Sequence, residues 1–256
     1  MDASARFVEL VNDPATTQLA EGSLLLAALA DAETDLDAEC ARLDRLATQC
    51  GEPTLDGVRR LLFRDLGFTG DSGDYYDPAN SLLPSVLDRR RGLPITLAVV
   101  MIEIGRRVGA PLDGVGMPGH FLVRDRVLPG VFIDPFHGGT VLDAAGCETL
   151  FCNLTKMPFD PAYLDPTPAP AILARMVANL VNAYRRLDQR ADLRWAARLR
   201  AQCPDVSPQE LVSLADALAH AAAFDEAAVL LERAAEVLPQ ADRIAARAGK
   251  YRSSLN

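Results

Sequence analysis

The chain has 256 residues, 49% of them hydrophobic and 24% charged, with a net charge of −9 and a pI near 4.9. That composition fits one large globular domain or two small ones, and its acidity argues against nucleic acid or an anionic membrane as partner. No apolar run approaches the ~18 residues needed to cross a bilayer. The first residues lack the apolar segment of a signal peptide. Five cysteines with no CxxC pair predict neither a disulfide framework nor structural zinc. A cytoplasmic protein is the default expectation.

Residues 3 to 68 read as helical. Leu24, Leu25, Leu26, Leu29 and Leu36 give one amphipathic stretch, Leu43 and Leu46 continue it, and Leu55, Val58, Leu61, Leu62 and Leu66 give another. Pro14 and Pro53 suit first helical turns, where a missing N–H is harmless, and Gly51 and Gly67 suit helix ends. Residues 67–81 form a breaker-rich loop. Asn80 or Ser81 is then expected to cap a short helix through Leu82, Leu83, Val86 and Leu87. The run Arg89-Arg90-Arg91 reads as its solvated basic end. Pro94 to Val108 is apolar on nearly every side, which predicts a buried central helix.

After Gly109-Ala110-Pro111 the pattern changes to short β-type runs: Val115–Met117, Phe121–Val123, Val131–Ile133 and, past the turn His137–Thr140, Val141-Leu142. They are expected to form a small antiparallel sheet on the central helix. A proline-rich linker, 158–170, precedes a second helical section. There Leu211, Leu214, Ala215, Leu218, Ala227, Leu231, Ala234 and Pro239 fit the apolar positions of a tetratricopeptide repeat, with a looser copy over 173–204. Plain helical hairpins with alanine-rich seams are the alternative. The fold class is α+β and predominantly helical. An N-terminal helical segment spans 1–68, a core 69–157, and a helical tail 171–256.

His120 and Asp134 are the candidate site. Each stands at an end of a predicted strand, so antiparallel neighbours could bring them together. The carboxylate would then fix the tautomer of the imidazole, as in the base-and-orienter pair of a nucleophilic hydrolase. Equally, a buried histidine bonded to a carboxylate can simply tie two strands together. A thiol nucleophile would belong at the start of the central helix, where the helix dipole lowers its pKa. No cysteine occurs between Cys50 and Cys147. Thr96 is the nearest hydroxyl and a weak third candidate. Cys147 and Cys152, near or in a short helix, read as small buried hydrophobes. His137 sits in a Gly-rich turn, and His220 has no evident partner. Three histidines so scattered predict no metal site, and no glycine pattern predicts a nucleotide or other cofactor.

The order RRG-x-P-I-T-L, PGHFL and DPF-x-GG, carried by Arg90–Leu97, Pro118–Leu122 and Asp134–Gly139, closely resembles the SirB1 family, most strongly over residues 77–143. The resemblance implies a divergent transglutaminase-like (papain-like) core with N-terminal helices and a tetratricopeptide-like tail. It also implies that His120 and Asp134 match the histidine and aspartate of a Cys-His-Asp triad. The cysteine position then falls at about Pro94. Three readings follow. The first is a pseudoenzyme whose cleft or tail binds a peptide or protein. The second is a hydrolase or protease-like enzyme without a cysteine, using Thr96 or a water activated by His120. The third is a tail-based interaction scaffold.

Overall fold

A computed structural model describes residues 2–15, 17–239 and 241–253. The N-terminal part supplies helices α1 (Ala3–Asn12), α2 (Leu19–Ala30), α3 (Leu36–Ala47) and α4 (Leu55–Arg59), the last continuing into a π-helical turn, Arg60–Asp65. Pro14 and Pro53 lie in turns outside these helices, a correction to their expected places. Asp2, Asp35 and Thr54 cap α1, α3 and α4 instead, each accepting a backbone N–H that the helix leaves unpaired.

Strand β1 (Thr69–Gly70) pairs in parallel with β2 (Arg91–Gly92), and helix α5 (Leu83–Arg89) lies between them. Neither Asn80 nor Ser81 caps α5; its N-terminal flanking residue is Leu82, with no side-chain cap. Asn80 is buried in a short 3₁₀ turn. It donates to the Asp74 carbonyl at 2.7 Å and accepts from Arg89 at 2.7 Å. Arg89 also bonds Asp77, and Arg90, in the left-handed region at φ 55°, donates to the Leu66 carbonyl. All three arginines are exposed, as a solvated helix end predicts, and Arg89 in addition ties down the 67–81 loop while Arg90 bonds the residue just before that loop.

Helix α6 (Pro94–Val108) is the expected central helix. Ile95 through Met101 and Ile104 are buried, and Gly109, at φ 84°, ends it. It packs against α2, α3, α4, α5 and α8 (Ala169–Arg186) and under the sheet.

That sheet is an antiparallel meander of β3 (Leu112–Val115), β4 (Leu122–Asp125), β5 (Phe132–Asp134) and β6 (Thr140–Leu142). The first strand begins three residues earlier than expected and the next begins one later. Val123 pairs with Ile133, and both face α6 within the main core; Leu122 and Phe132 face the other way. On that second face, α7 (Ala144–Leu154) brings Cys147 and Phe151 into a smaller cluster with Val115, Met117 and Leu164.

The proline-rich stretch is no free linker. Thr167 N–H donates to the Gly114 carbonyl at 2.8 Å, and the Thr167 hydroxyl accepts from Gly116 N–H at 2.8 Å, so the chain is stitched to the sheet edge. Helix α8 then enters the main core through Ile172, Leu173, Met176 and Val177. Helices α9 (Arg190–Arg200), α10 (Pro208–His220), α11 (Phe224–Ala235) and α12 (Ala241–Ser253) follow, each packed on the one before. Their seams are small: Ala196, Ala197, Ala215, Ala227, Ala228 and Ala234 are fully buried. No helix among the described residues is long and apolar enough to cross a membrane.

Candidate functional site

His120 lies just before β4, in a turn where its N–H donates to the Met117 carbonyl and Gly119 takes φ 80°. The turn is clamped from α8. The Arg175 guanidinium donates to the Met117 carbonyl at 3.1 Å and the His120 carbonyl at 2.8 Å, and sits 5.4 Å from the Phe121 ring centroid. Burial pushes the Arg175 pKa down, and these two carbonyls satisfy a guanidinium that has no carboxylate partner among the described residues. Nothing in the spacing of the sequence marks Arg175; only the docking of α8 reveals it.

Asp134 ends β5 and collects donors on both oxygens. Oδ1 accepts from His120 Nε2 at 2.9 Å and from the backbone N–H groups of Phe136 at 3.0 Å and His137 at 3.2 Å. Oδ2 accepts from His137 Nδ1 at 2.6 Å. Both Asp134 and His120 are buried. Burial, the largest influence on the Asp134 carboxyl, disfavours its charge, but the bonds and electrostatic pull of His120 and His137 together outweigh it. The carboxyl is held below its ordinary value of 3.8.

The sheet alone does not bring His137 in. The segment Pro135–Gly139 folds back because Gly139 N–H donates to the Asp134 carbonyl and Gly70 N–H, from β1, donates to the Phe136 carbonyl. The Thr140 hydroxyl closes the turn on the His137 carbonyl at 2.7 Å. Close approach requires glycine at two places: a Cβ on Gly70 would run into the Phe136 ring, and one on Gly139 into the Phe63 ring. The imidazoles of His120 and His137 end up stacked, centroids 5.8 Å apart, with Phe136 edge-on to both. The His137 side chain is 55% exposed and is the solvent-facing member of the group.

His120 and Asp134 are thus brought together as expected; Thr96 is not joined to them. It lies fully buried in the first turn of α6, and its hydroxyl has no hydrogen-bond partner. Pro94, the first residue of α6, occupies the place where a thiol would gain from the helix dipole. The five cysteines are free. Cys147 is near enough to Asp134 to feel its charge, yet it is packed in the smaller cluster. Burial first, and then Asp143 and Asp134, push its thiol up to about 12. Such a thiol is no nucleophile at neutral pH. His220, which had no evident partner in the sequence, donates from Nε2 to Asp188 at 2.6 Å on the exposed tail.

With Nε2–H given to Asp134, His120 carries its lone pair on Nδ1. That nitrogen has no partner among the described residues. A histidine oriented by a carboxylate in this way has its second ring nitrogen free to act as a base.

Residues 26–178 match the family described as Transglutaminase-like superfamily. The chain belongs to that superfamily. It is similar to a UPF0162 protein of Xylella fastidiosa strain Temecula1, 44% identical over 167 residues covering 62% of this chain and 58% of the relative. A UPF0162 protein of Vibrio cholerae is 28% identical over 184 residues, 66% of this chain and 67% of that protein. Mouse F-box only protein 21 is 31% identical over 141 residues, 52% of this chain but 22% of its own length. The chain thus spans 58% of the length of the Xylella relative. No solved structure matches it. In this transglutaminase-like chain the match takes in every residue of the site described above, Arg175 included, and stops short of α9 to α12.

Proposed function

We propose that this chain is a SirB1-like transglutaminase-fold protein that has given up thioester chemistry and acts as a peptide- or protein-binding regulatory pseudoenzyme of the cytoplasm. The observation that carries the reading is Pro94. The superfamily's histidine and aspartate keep a bonded geometry, while a ring without N–H or heteroatom nucleophile stands at the helix start. The nearby sulfur, Cys147, is sealed in an apolar cluster with its proton held on.

The second reading, a hydrolase that needs no cysteine, is supported by the unpartnered Nδ1 of His120, which could deprotonate a bound water. Thr96 is not part of it, because its hydroxyl bonds to no base. The tail supports a scaffold role as well. Its helices α8 to α12 stack pairwise on buried alanines, as in a tetratricopeptide-like array, and a cleft lined by Val212, Leu238, Pro239 and Ile244 with Arg243 and Arg247 opens on it. The segments 1–68, 69–157 and 171–256 serve in this proposal as support, site and tail.

The test combines turnover with capture. The purified chain is assayed against a peptide and isopeptide library, and in parallel cross-linked in its native cells as the wild type, His120→Ala and a tail variant, Val212→Glu with Ile244→Glu. The expected result is no turnover and a cross-linked partner lost in one of the variants. Turnover that disappears in His120→Ala would replace the pseudoenzyme with the hydrolase.

A further inference from the structure

Two imidazoles converge on one buried carboxylate. An orienting dyad needs only one. His137 comes from a turn three residues beyond Asp134, and its Nδ1 meets Oδ2, the oxygen that His120 leaves free. One ligand-capable atom from each of His120, Asp134 and His137 lies within 4.8 Å of the other two. We propose that these three side chains form a binding site for a single divalent transition-metal ion of the zinc or cobalt class. His120 Nε2, a carboxylate oxygen of Asp134 and His137 Nδ1 are the protein ligands, and one position is left toward solvent.

The donor set suits such an ion: imidazole and carboxylate without thiolate favour zinc, cobalt, nickel or ferrous iron over calcium or magnesium. Donor spacing suits it too. Tetrahedral bonds of 2.0–2.1 Å place ligand atoms roughly 3.3 Å apart, and the present N···O separations are 2.9 and 2.6 Å. The two nitrogens meet different oxygens of the carboxylate, so an ion needs the imidazoles to withdraw by about 0.4 and 0.7 Å and to turn toward one shared oxygen, within a cluster whose donor atoms already lie within 4.8 Å of one another. On binding, each imidazole frees the nitrogen that now faces Asp134, passing its proton to the other ring nitrogen when the ring is neutral and to solvent when it is charged.

The surrounding groups are already placed as outer supports. The N–H groups of Phe136 and His137 hold Oδ1, leaving Oδ2 to turn to an ion, and Arg175 fixes the backbone of the His120 turn. The exposed ring of His137 provides the entry path. The inference goes beyond the pseudoenzyme reading and does not depend on any partner.

The test uses the full-length chain without an affinity tag, freed of metal, and titrated with cobalt(II) and then zinc(II). One cobalt per chain with visible ligand-field absorption is expected, displaced by zinc. His137→Ala should weaken cobalt binding by about tenfold or more. That variant should keep the circular dichroism and the cooperative melting of the metal-free wild type, with a midpoint lowered only by the lost bond to Asp134, which excludes misfolding as the cause. His220→Ala, removing the tail's own histidine–aspartate pair, should bind as the wild type does. Absence of stoichiometric cobalt uptake, or equal affinity in wild type and His137→Ala, would overturn the proposal. Neither result would touch the capture experiment, which reads the partner rather than the ion.

Discussion

The ring of Phe63 lies against the backbone of Gly139, leaving no space for a Cβ there. Phe63 belongs to the π-helical turn that follows α4, and Gly139 closes the turn that carries His137. The N-terminal helices are thereby coupled to the geometry around Asp134. Gly139 also adopts φ 73°, which side chains resist. Gly139→Ala should lower stability by about 2 kcal/mol, measured by urea unfolding. It should also release His137 from Asp134, seen as a change in the His137 ring resonances. An unchanged midpoint would mean that Phe63 moves aside freely.

Asp134 is the hub of four hydrogen bonds, so its loss should be felt. Asp134→Asn removes the charge and leaves buried imidazole N–H groups facing an amide; a loss on the order of 3 kcal/mol is expected at pH 7. The pH dependence has a definite sign. The folded-state carboxyl titrates below its ordinary value of 3.8. Its contribution is therefore complete above that ordinary value and disappears as pH falls through the lowered one. Melting curves of wild type and variant should stay well separated from pH 7 down to about 5 and converge in the acid range below. A gap that widens on acidification would contradict this.

Thr96 offers a test of the opposite kind. Its hydroxyl is buried without a partner, so it carries a desolvation penalty with nothing to offset it. Thr96→Val, of nearly the same shape, should be as stable as the wild type or more stable by about 1 kcal/mol. A clear drop in melting temperature would show that the hydroxyl is engaged after all.

The cysteines should separate by environment. Cys152 is exposed on α7, while Cys147, one turn away, is enclosed with its thiol pushed up to about 12. Native alkylation with iodoacetamide at mildly alkaline pH, read by peptide mass mapping, should label Cys152 and spare Cys147 until the protein is unfolded. Rapid labelling of Cys147 in the folded protein would reopen it as a nucleophile.

Periodicity made much of this architecture legible. The unbroken apolar run from Pro94 to Val108 can only be a buried helix, and alternation at Leu122-Val123 and Phe132-Ile133 assigns each strand its two faces. His120 and Asp134 stand out in the sequence as a base and an orienting carboxylate at the ends of neighbouring strands. The short loops between consecutive strands then made a meander, and with it their meeting, the natural outcome. The missing thiol was equally plain from residue types alone.

What tertiary structure decided was everything that depends on distant segments closing. The sequence offers Asn80 as a cap, but its amide is a buried bridge between the Asp74 carbonyl and Arg89. Arg175 reaches His120 only through the docking of α8, which the sequence sets apart by a proline-rich stretch. His137 joined Asp134 because Gly70 and Gly139 let two aromatic rings press against the backbone. Spacing along a chain encodes which face a residue takes in its own helix or strand. Which side chains then share one carboxylate is set by packing between elements, where a few missing β-carbons determine how near two segments can come.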